Sequence, residues 1–403
     1  MAIDNKDKKI LNVPPLRFPE FTEEWKAEQL DNIATLSKGI GISKEQLSED
    51  GEPCILYGEL YTKYKSEIIK QVESKTDING SKLKRSKAND VIIPCSGETA
   101  VDIATARCVP FDNILFGGDL NVISLHQYDG AFMSYQLNGK RKYDIARVAQ
   151  GVSIVHLYGE HLKAIKTYNP TLPEQQKIAK LLSLLDDRID TQNKIIEKYE
   201  SLIQAISQKV LRPSEYWNEY RLCELADIRS GYSGNQVSHK TAYAVSRIET
   251  ISKHRIDMLR VGYVQDIPSE YKLNVGDILF SNINSIQYIG NTAFVDKEYN
   301  LYHGMNLLRI IPKPSLVIPR FLHLILCTSM AIKHFQSICN KAVSQASINQ
   351  TSLGKIMLHI PPLTCQEQIC NVFESVEQRL NLEVYYLKRI QLQKNYLLRQ
   401  MFI

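Results

Sequence analysis

Two stretches of this chain share one plan. Residues 170–182 read PTLPEQQKIAKLL and residues 361–373 read PPLTCQEQICNVF, 191 positions apart in a chain of 403. At that offset Pro170 meets Pro361, Leu172 meets Leu363, Gln175 meets Gln366, Ile178 meets Ile369, Leu185 meets Val376 and Arg188 meets Arg379. Earlier in each half, WKAEQLDNIATLSKG (25–39) matches WNEYRLCELADIRSG (217–231), pairing Trp25 with Trp217, Leu30 with Leu222, Ala34 with Ala226 and Gly39 with Gly231. NDVIIPCSG (89–97) resembles GDILFSNIN (276–284), each a β-prone apolar run ending in turn residues. Between these anchors the halves disagree: KYKSEIIKQVESKTDINGSKLKR (63–85) has no counterpart. An internal repeat constrains the fold more than any local motif. The chain reads as one domain duplicated, with a shared frame and a private interior that suits copies recognising different things.

Each half ends in a helical pattern. After Glu174 no proline or glycine appears before Pro213, leaving 38 helix-compatible positions. Apolar residues recur at Ile178, Leu182, Leu185, Ile189, Ile196, Tyr199, Ile203, Ile206 and Val210, with Gln192 in the one gap. That spacing of fours and threes is the seam of a coiled coil, and Pro173 and Pro213 punctuate its ends. A helix of this length is a rod of about 57 Å. The second half repeats the seam with Ile369, Phe373, Val376, Leu380, Leu387, Ile390, Leu397 and Met401, placing Glu383 against Gln192 and Lys394 at the place of Ile203. One such helix cannot bury its stripe alone in water, so the two are expected to pair; an antiparallel pairing sets the globular domains at opposite ends. The plainer alternative packs each helix onto its own domain. Leu181, Ile195 and Leu202 form an apolar flank beside the seam, a candidate docking surface for a partner protein.

The fold expected is α+β: two domains of mixed strands and helices with internal pseudo-twofold symmetry, and two long helices paired as a coiled coil, for which either orientation is sterically possible. Its division is a flexible leader 1–15, a first domain 16–170, a helix 171–212, a second domain 213–361 and a second helix 362–403. The first residues, MAIDNKDKKILNVPP, are charged where a signal peptide needs an apolar run. Apolar stretches such as Leu322 to Cys327 fall far short of the roughly 18 residues of a membrane helix. Both features lead us to expect a cytoplasmic protein. The net charge of +5 leans mildly towards an anionic partner.

Catalytic signatures do not emerge. There is no G-x-x-x-x-G-K-[ST] phosphate loop, no G-x-G-x-x-G beyond the fragment Gly39-Ile40-Gly41, no H-E-x-x-H and no G-x-S-x-G. Gly117-Gly118 before Asp119 reads as a turn. Asp102, Asp119 and Asp277 lack a second group at a meaningful spacing, so they read as surface or turn carboxylates. The eight cysteines form no C-x-x-C pair and read as small buried residues, and His156 and His161 are too isolated in sequence to claim a metal. No metal, catalytic residue or cofactor is therefore assigned to this chain.

The lead-in PPLRFPEFTEEWKAEQLDNIATLSKG, the run NDVIIPCSG, the segment QGVSIVHLYGEHLKAI and the helix entry PTLPEQQKIAKLL resemble a specificity subunit of a type I restriction–modification system. The second half offers WNEYRLCELADIRSG, VGDILFSN and KAVSQASINQTSLGKIMLHIPPL, and departs from the usual helix entry with Cys365-Gln366. The resemblance covers nearly the whole chain, in the same order, twice. It implies a non-catalytic subunit whose two target-recognition domains each read half of an asymmetric bipartite site in double-stranded DNA, with the two long helices paired as an antiparallel coiled coil that serves as spacer. It also implies partners: two methyltransferase subunits using S-adenosylmethionine, and motor–nuclease subunits using ATP and Mg.

Reading DNA requires cations for the phosphates and polar side chains for base edges. The first-domain pool is Lys38, Lys44, Lys63, Tyr64, Lys65, Ser96, Lys140, Arg141 and Lys142. The second-domain pool is Arg229, Tyr232, Asn235, Gln236, Lys240, Arg247, Asn282, Asn284, Lys341, Ser344 and Gln345. Each has a plainer reading: Lys63–Lys65 as a solvated strand edge, Lys140–Lys142 as an outer helix face, Asn282 and Asn284 as turn formers, Ser344-Gln345 as a helix terminus. Two other function classes compete. A coiled-coil scaffold would show no salt-sensitive DNA binding, and the recognition part of a DNA methyltransferase or nuclease would need several hundred further residues.

Overall fold

The computed structural model describes residues 11–79, 82–341 and 345–403. They form two compact units: one comprises the chain up to Lys194 together with Val384–Ile403, the other Ile195–Glu383. Of the leader, residues 1–10 lie outside the described residues.

In the first unit, Lys26–Gln29 pairs antiparallel with Lys166–Asn169, the strand that leads into the first long helix. Leu30–Ile33 then makes one helical turn, burying Leu30 and Ile33. Ala34–Lys38 enters a four-stranded antiparallel sheet, followed in spatial order by Leu120–Leu125, Asp90–Pro94 and Arg107–Val109. Asp90–Pro94 is buried at every residue, as its unbroken VII run requires. Helix Gly130–Asn138 packs beneath it, capped by Asp129, whose carboxylate accepts from the Phe132 amide at 2.7 Å. A smaller sheet orders Lys75–Thr76, Glu52–Ile55, Leu115–Phe116 and Lys84–Arg85. Two of its strands belong to the private interior 63–85.

The second unit repeats this frame. Asn218–Arg221 pairs with Met357–Ile360, Leu222–Leu225 makes the helical turn, and Ala226–Ser230, Leu308–Pro312, Ile278–Phe280 and Thr292–Phe294 lie side by side in that order. This sheet goes on to Arg255–Ile256 and Ile251–Ser252, so the second copy is widened where the sequences diverge. Its small sheet orders Gln236–Val237, Gly262–Val264, Tyr243–Val245 and Leu301–Tyr302. The repeated glycines have a common cause. A Cβ on Gly39 would lie 2.0 Å from the Gly117 carbonyl oxygen, and one on Gly231 would lie 1.8 Å from that of Gly304. In each copy the chain leaving the first core strand crosses another backbone too closely for a side chain.

The repeated proline and glutamine form a clamp. The Gln175 amide donates to the Pro170 carbonyl at 2.8 Å, and its oxygen accepts from the Asp129 amide at 2.9 Å. Gln366 donates to the Pro361 carbonyl at 2.8 Å and accepts from the Ile318 amide at 2.7 Å. Asp129 and Ile318 are the N-cap residues of equivalent helices. Each glutamine therefore ties the last strand, the long helix and a core helix together, and both are buried. At the place of Cys365 the first copy has Glu174, which is buried, accepting two hydrogen bonds from Arg17 at 2.7 Å and one from the Trp25 indole at 3.3 Å. The edge-on contact of Trp25 with Phe132 recurs as that of Trp217 with Phe321. Gln175→Ala or Gln366→Ala is expected to cost about 2 kcal/mol, because two buried partners lose their bonds. Urea denaturation would show it, and a change under about 0.5 kcal/mol would count as ordinary surface behaviour.

The long helices span Leu172–Val210 and Leu363–Gln400. Every seam position is buried or half-buried. In the first unit Ile178, Leu182 and Leu185 join Leu397, Met401 and Phe402, so the start of one helix meets the end of the other. In the second unit Ile203, Ile206 and Val210 pack against the cluster of Ile369 and Phe373, the end of one against the start of the other. Within each unit the pairing is antiparallel. The plainer reading holds alongside it, since Ile178 and Leu182 also touch Trp25 and Phe132 of their own domain. The flank is corrected: Leu181 is half-buried in this cluster and Ile195 is half-buried, leaving Leu202 exposed. Other exposed apolar side chains on the helices include Leu184, Val384, Tyr385, Leu392 and Tyr396.

Candidate nucleic-acid interface

In the first unit, two candidates meet beside residues that sequence spacing had set aside. Val155–His156 pairs antiparallel with Ser96–Gly97. The His156 ring stacks on Tyr158 with centroids 6.2 Å apart, His161 approaches Tyr158 edge-on at 5.6 Å, and the Lys38 ammonium lies 5.5 Å from the same ring. The Tyr61 hydroxyl donates to the Ser96 carbonyl at 3.1 Å. Leu36, Ser37, Lys38, Tyr158, His161 and Lys163 line a shallow recess here. A cation over an exposed aromatic face suits a polyanion carrying stackable rings. His156 and His161, remote from every other histidine in sequence, are gathered by the sheet around Tyr158.

The second unit has an equivalent edge. Ile283–Asn284 pairs with Ala346–Ser347, which pairs with Asn340–Lys341. Lys341 and Gln345 are exposed there, while Ser344 lies outside the described residues. Asn282 and Asn284 serve the backbone instead. Asn282 donates to the Ile348 carbonyl at 3.3 Å, and Asn284 accepts from the Ser285 amide at 2.8 Å while donating to the Ser281 hydroxyl at 3.1 Å. The helix before this segment stops at Ile338, and Gln345 lies in no helix. Arg229, Asn235, Gln236, Lys240 and Arg247 are exposed, Arg229 in a core edge strand and Gln236 in the small sheet. Tyr232 instead packs edge-on against Tyr271 at 5.3 Å.

Several first-unit candidates leave the pool for physical reasons. Tyr64 is buried with Ile55 and Leu60, and burial raises its phenol pKa. The Lys63 ammonium is held by Glu59 at 2.7 Å and Ser74 at 2.6 Å, at the end of helix Glu59–Thr62 rather than on a strand edge. Arg141 pairs with Asp144 at 3.1 Å, donates to the Ile403 carbonyl at 2.9 Å and stacks over Tyr168. Lys142 is half-buried, and desolvation lowers its pKa, with Arg107 adding repulsion. Lys44, Lys65 and Lys140 remain exposed, Lys65 within 3.3 Å of the Tyr61 carbonyl. The acids are placed too: the Asp102 amide is capped by Thr99, Asp119 sits in a left-handed turn at φ 59°, and Asp277 is buried against Arg309.

Distant residues also gather in the second unit. The ligand-type atoms of His254, His323 and Cys327 lie within 4.8 Å of one another. Cys327 Sγ is 3.4 Å from both His254 Nδ1 and His323 Nε2. Arg320 sits 2.8 Å from His323 Nδ1, and a guanidinium can only donate. The imidazole proton therefore stays on Nε2, facing the sulfur, and that nitrogen has no free lone pair for a metal. Burial lowers the pKa of both histidines and pushes the Cys327 thiol up to about 12. The arrangement is a hydrogen-bonded chain of neutral groups, tied through Arg320 to Glu377 at 2.5 Å on the second long helix.

The comparisons agree with this duplicated frame. The sequence profile of the type I restriction modification DNA specificity domain matches residues 22–201 and again 214–391. Over 412 residues the chain is 22% identical to the type I restriction enzyme MjaVIII specificity subunit of Methanocaldococcus jannaschii, covering 94% of this chain and 91% of that one. It is 38% identical over 184 residues to the "Putative type I restriction enzyme MjaX specificity subunit" of the same organism, a match spanning 43% of each chain. In fold it resembles the S subunit from M. genitalium, with a TM-score of 0.62 at 16% identity over 97% of this chain and 99% of the other. A chain from a type I R-M system studied for complex assembly and conformational transition superposes with a TM-score of 0.59 at 15% identity, over 96% and 99%. Among the described residues no helix is long and apolar enough to cross a membrane. With both halves matched by the same profile, the chain belongs to the family of type I restriction–modification DNA specificity subunits, a non-catalytic class.

Proposed function

We propose that this chain selects the DNA target of a type I restriction–modification complex. Each unit reads one half of an asymmetric, bipartite site in double-stranded DNA, and the long helices set the distance between the halves. The observation that carries the reading is the pairing of a repeated frame with unlike interiors. The first unit presents Lys38, Tyr158 and His156 beside Ser96, and the second presents Lys341 and Gln345 at the equivalent edge. Two copies that share a frame and differ at this edge suit a target that is not a palindrome. Methyltransferase subunits carrying S-adenosylmethionine, and motor–nuclease subunits using ATP and Mg, would supply the chemistry in the cytoplasm. The exposed Leu202, Leu392 and Tyr396 are candidate docking positions for them.

The test is to express the chain with its methyltransferase partners and map methylated motifs across a genome. A two-part, non-palindromic motif is expected. Inserting one helical turn into each long helix should lengthen the unspecified gap by about one or two base pairs, since a turn adds about 5.4 Å against about 3.4 Å per base pair, and leave both half-sites unchanged. Altered half-site letters would count against separate reading heads. Cutting or methylation by the isolated chain would favour a fused enzyme, and salt-insensitive retention on DNA would favour a scaffold.

A further inference from the structure

The edge that carries Lys38 and Tyr158 also carries the most exposed apolar side chain among the described residues of the first unit. Gln150 and His156 face each other as an antiparallel bridge, with reciprocal backbone hydrogen bonds of 2.9 and 2.7 Å. The chain between them turns back at Gly151, whose φ is +123°. A Cβ there would lie 2.1 Å from the Ile154 carbonyl oxygen, so the turn accepts only glycine. The hairpin is anchored at its base: the Leu157 amide donates to the Cys95 carbonyl at 2.8 Å, and buried Asn121 donates to the Leu157 carbonyl at 2.9 Å. At its tip Val152 is 98% exposed and Ile154 60% exposed. A single exposed apolar residue means little, but this one is held out by a locked turn next to a cation–aromatic cluster.

A two-stranded ribbon is one of the elements that the major groove admits, and thymine is the base that offers a methyl group there. Taking the DNA-reading function above as its basis, we propose that the 150–156 hairpin enters the major groove and that Val152 reads a thymine 5-methyl group, with Lys38 and the Tyr158 cluster at the hairpin's base engaging the backbone. At the equivalent edge of the second unit Lys341 and Gln345 stand where the first has Gln150 and Ile154, an ammonium and a carboxamide that suit guanine and adenine edges. By sequence Val152 has its counterpart in Val343, and the copies differ beside it, Ile154 in one against Gln345 in the other, which suits unlike half-sites.

Binding of the assembled methyltransferase complex to duplexes of its mapped motif would decide the matter, with each thymine replaced singly by deoxyuracil, which lacks only the methyl. The expected result is a loss of about tenfold at one thymine, the scale of one methyl group in a recognition contact. In Val152→Ser that position should become indifferent to the methyl, while every other position keeps its wild-type response. Val152 is exposed, so the variant should melt with the wild type, and Ile154→Ser is the neighbouring control. A motif without thymine, indifference at every thymine, or a methyl effect that survives in Val152→Ser would each overturn the proposal. Absence of any bipartite motif in the wild type would overturn the underlying function instead.

Discussion

Lys394→Met is expected to destabilise the first unit by about 3–5 kcal/mol, the usual cost of stranding buried charge. Lys394 sits in the seam of the second long helix, and its ammonium lies 2.5 Å from Glu67 and 2.5 Å from Asp186. The three side chains are 13%, 10% and 4% exposed. Asp186 also accepts from the Tyr135 hydroxyl at 2.6 Å. Burial raises the Asp186 pKa, Glu67 raises it further, and Lys394 opposes both. For Lys394 burial works to lower the pKa, yet the two carboxylates together raise it. Removing the cation leaves two carboxylates facing each other away from water. Adding Glu67→Gln and Asp186→Asn should restore much of the loss, since a neutral polar cluster needs no counter-ion. Denaturation of the single and triple variants would check this, and equal stability of Lys394→Met and wild type would show that the pair is screened.

Arg309→Met should cost the second unit a comparable 3–5 kcal/mol, for a related reason. Arg309 pairs with Asp277 at 2.6 Å, both side chains 4% exposed, and donates to the Glu270 carbonyl at 3.1 Å. Asp277 in turn accepts from the Asn274 amide at 2.6 Å and closes the turn before strand Ile278–Phe280. Burial raises its pKa, while the Asn274 bond and Arg309 hold it back. Adding Asp277→Asn should recover part of the loss, because an amide keeps the turn bond without a stranded charge. Hydrogen exchange resolved along the chain would localise the effect to strands Ile278–Phe280 and Leu308–Pro312; protection there unchanged from wild type would argue against it.

Much of the architecture was legible because it is written locally. Heptad spacing and the repeated Trp, Gly, Pro and Gln positions are periodicities, and a sequence displays periodicity directly. Even the roles of the repeated residues proved simple: Gln175 and Gln366 make the same pair of bonds, and Gly39 and Gly231 relieve the same close approach. What stayed hidden was pairing across distance. Lys394 looked like a defect in an apolar seam, because its partner Glu67 stands 327 positions away. Tyr64 and Arg141 suit DNA by residue type, yet one is core and the other holds the Ile403 carbonyl. His156 and Tyr158 were passed over because stacking on a sheet edge leaves no spacing signature.

The borrowed helix end of the first unit has a consequence for synthesis. Met401 and Phe402 complete the socket of Trp25, Phe132, Ile178 and Leu182, and they are translated long after those four. A ribosome makes some two hundred further residues after Lys194 before that apolar socket can be filled. The nascent first unit must wait with its floor uncovered, an interval in which a chaperone or a helix from a second copy could occupy the vacancy.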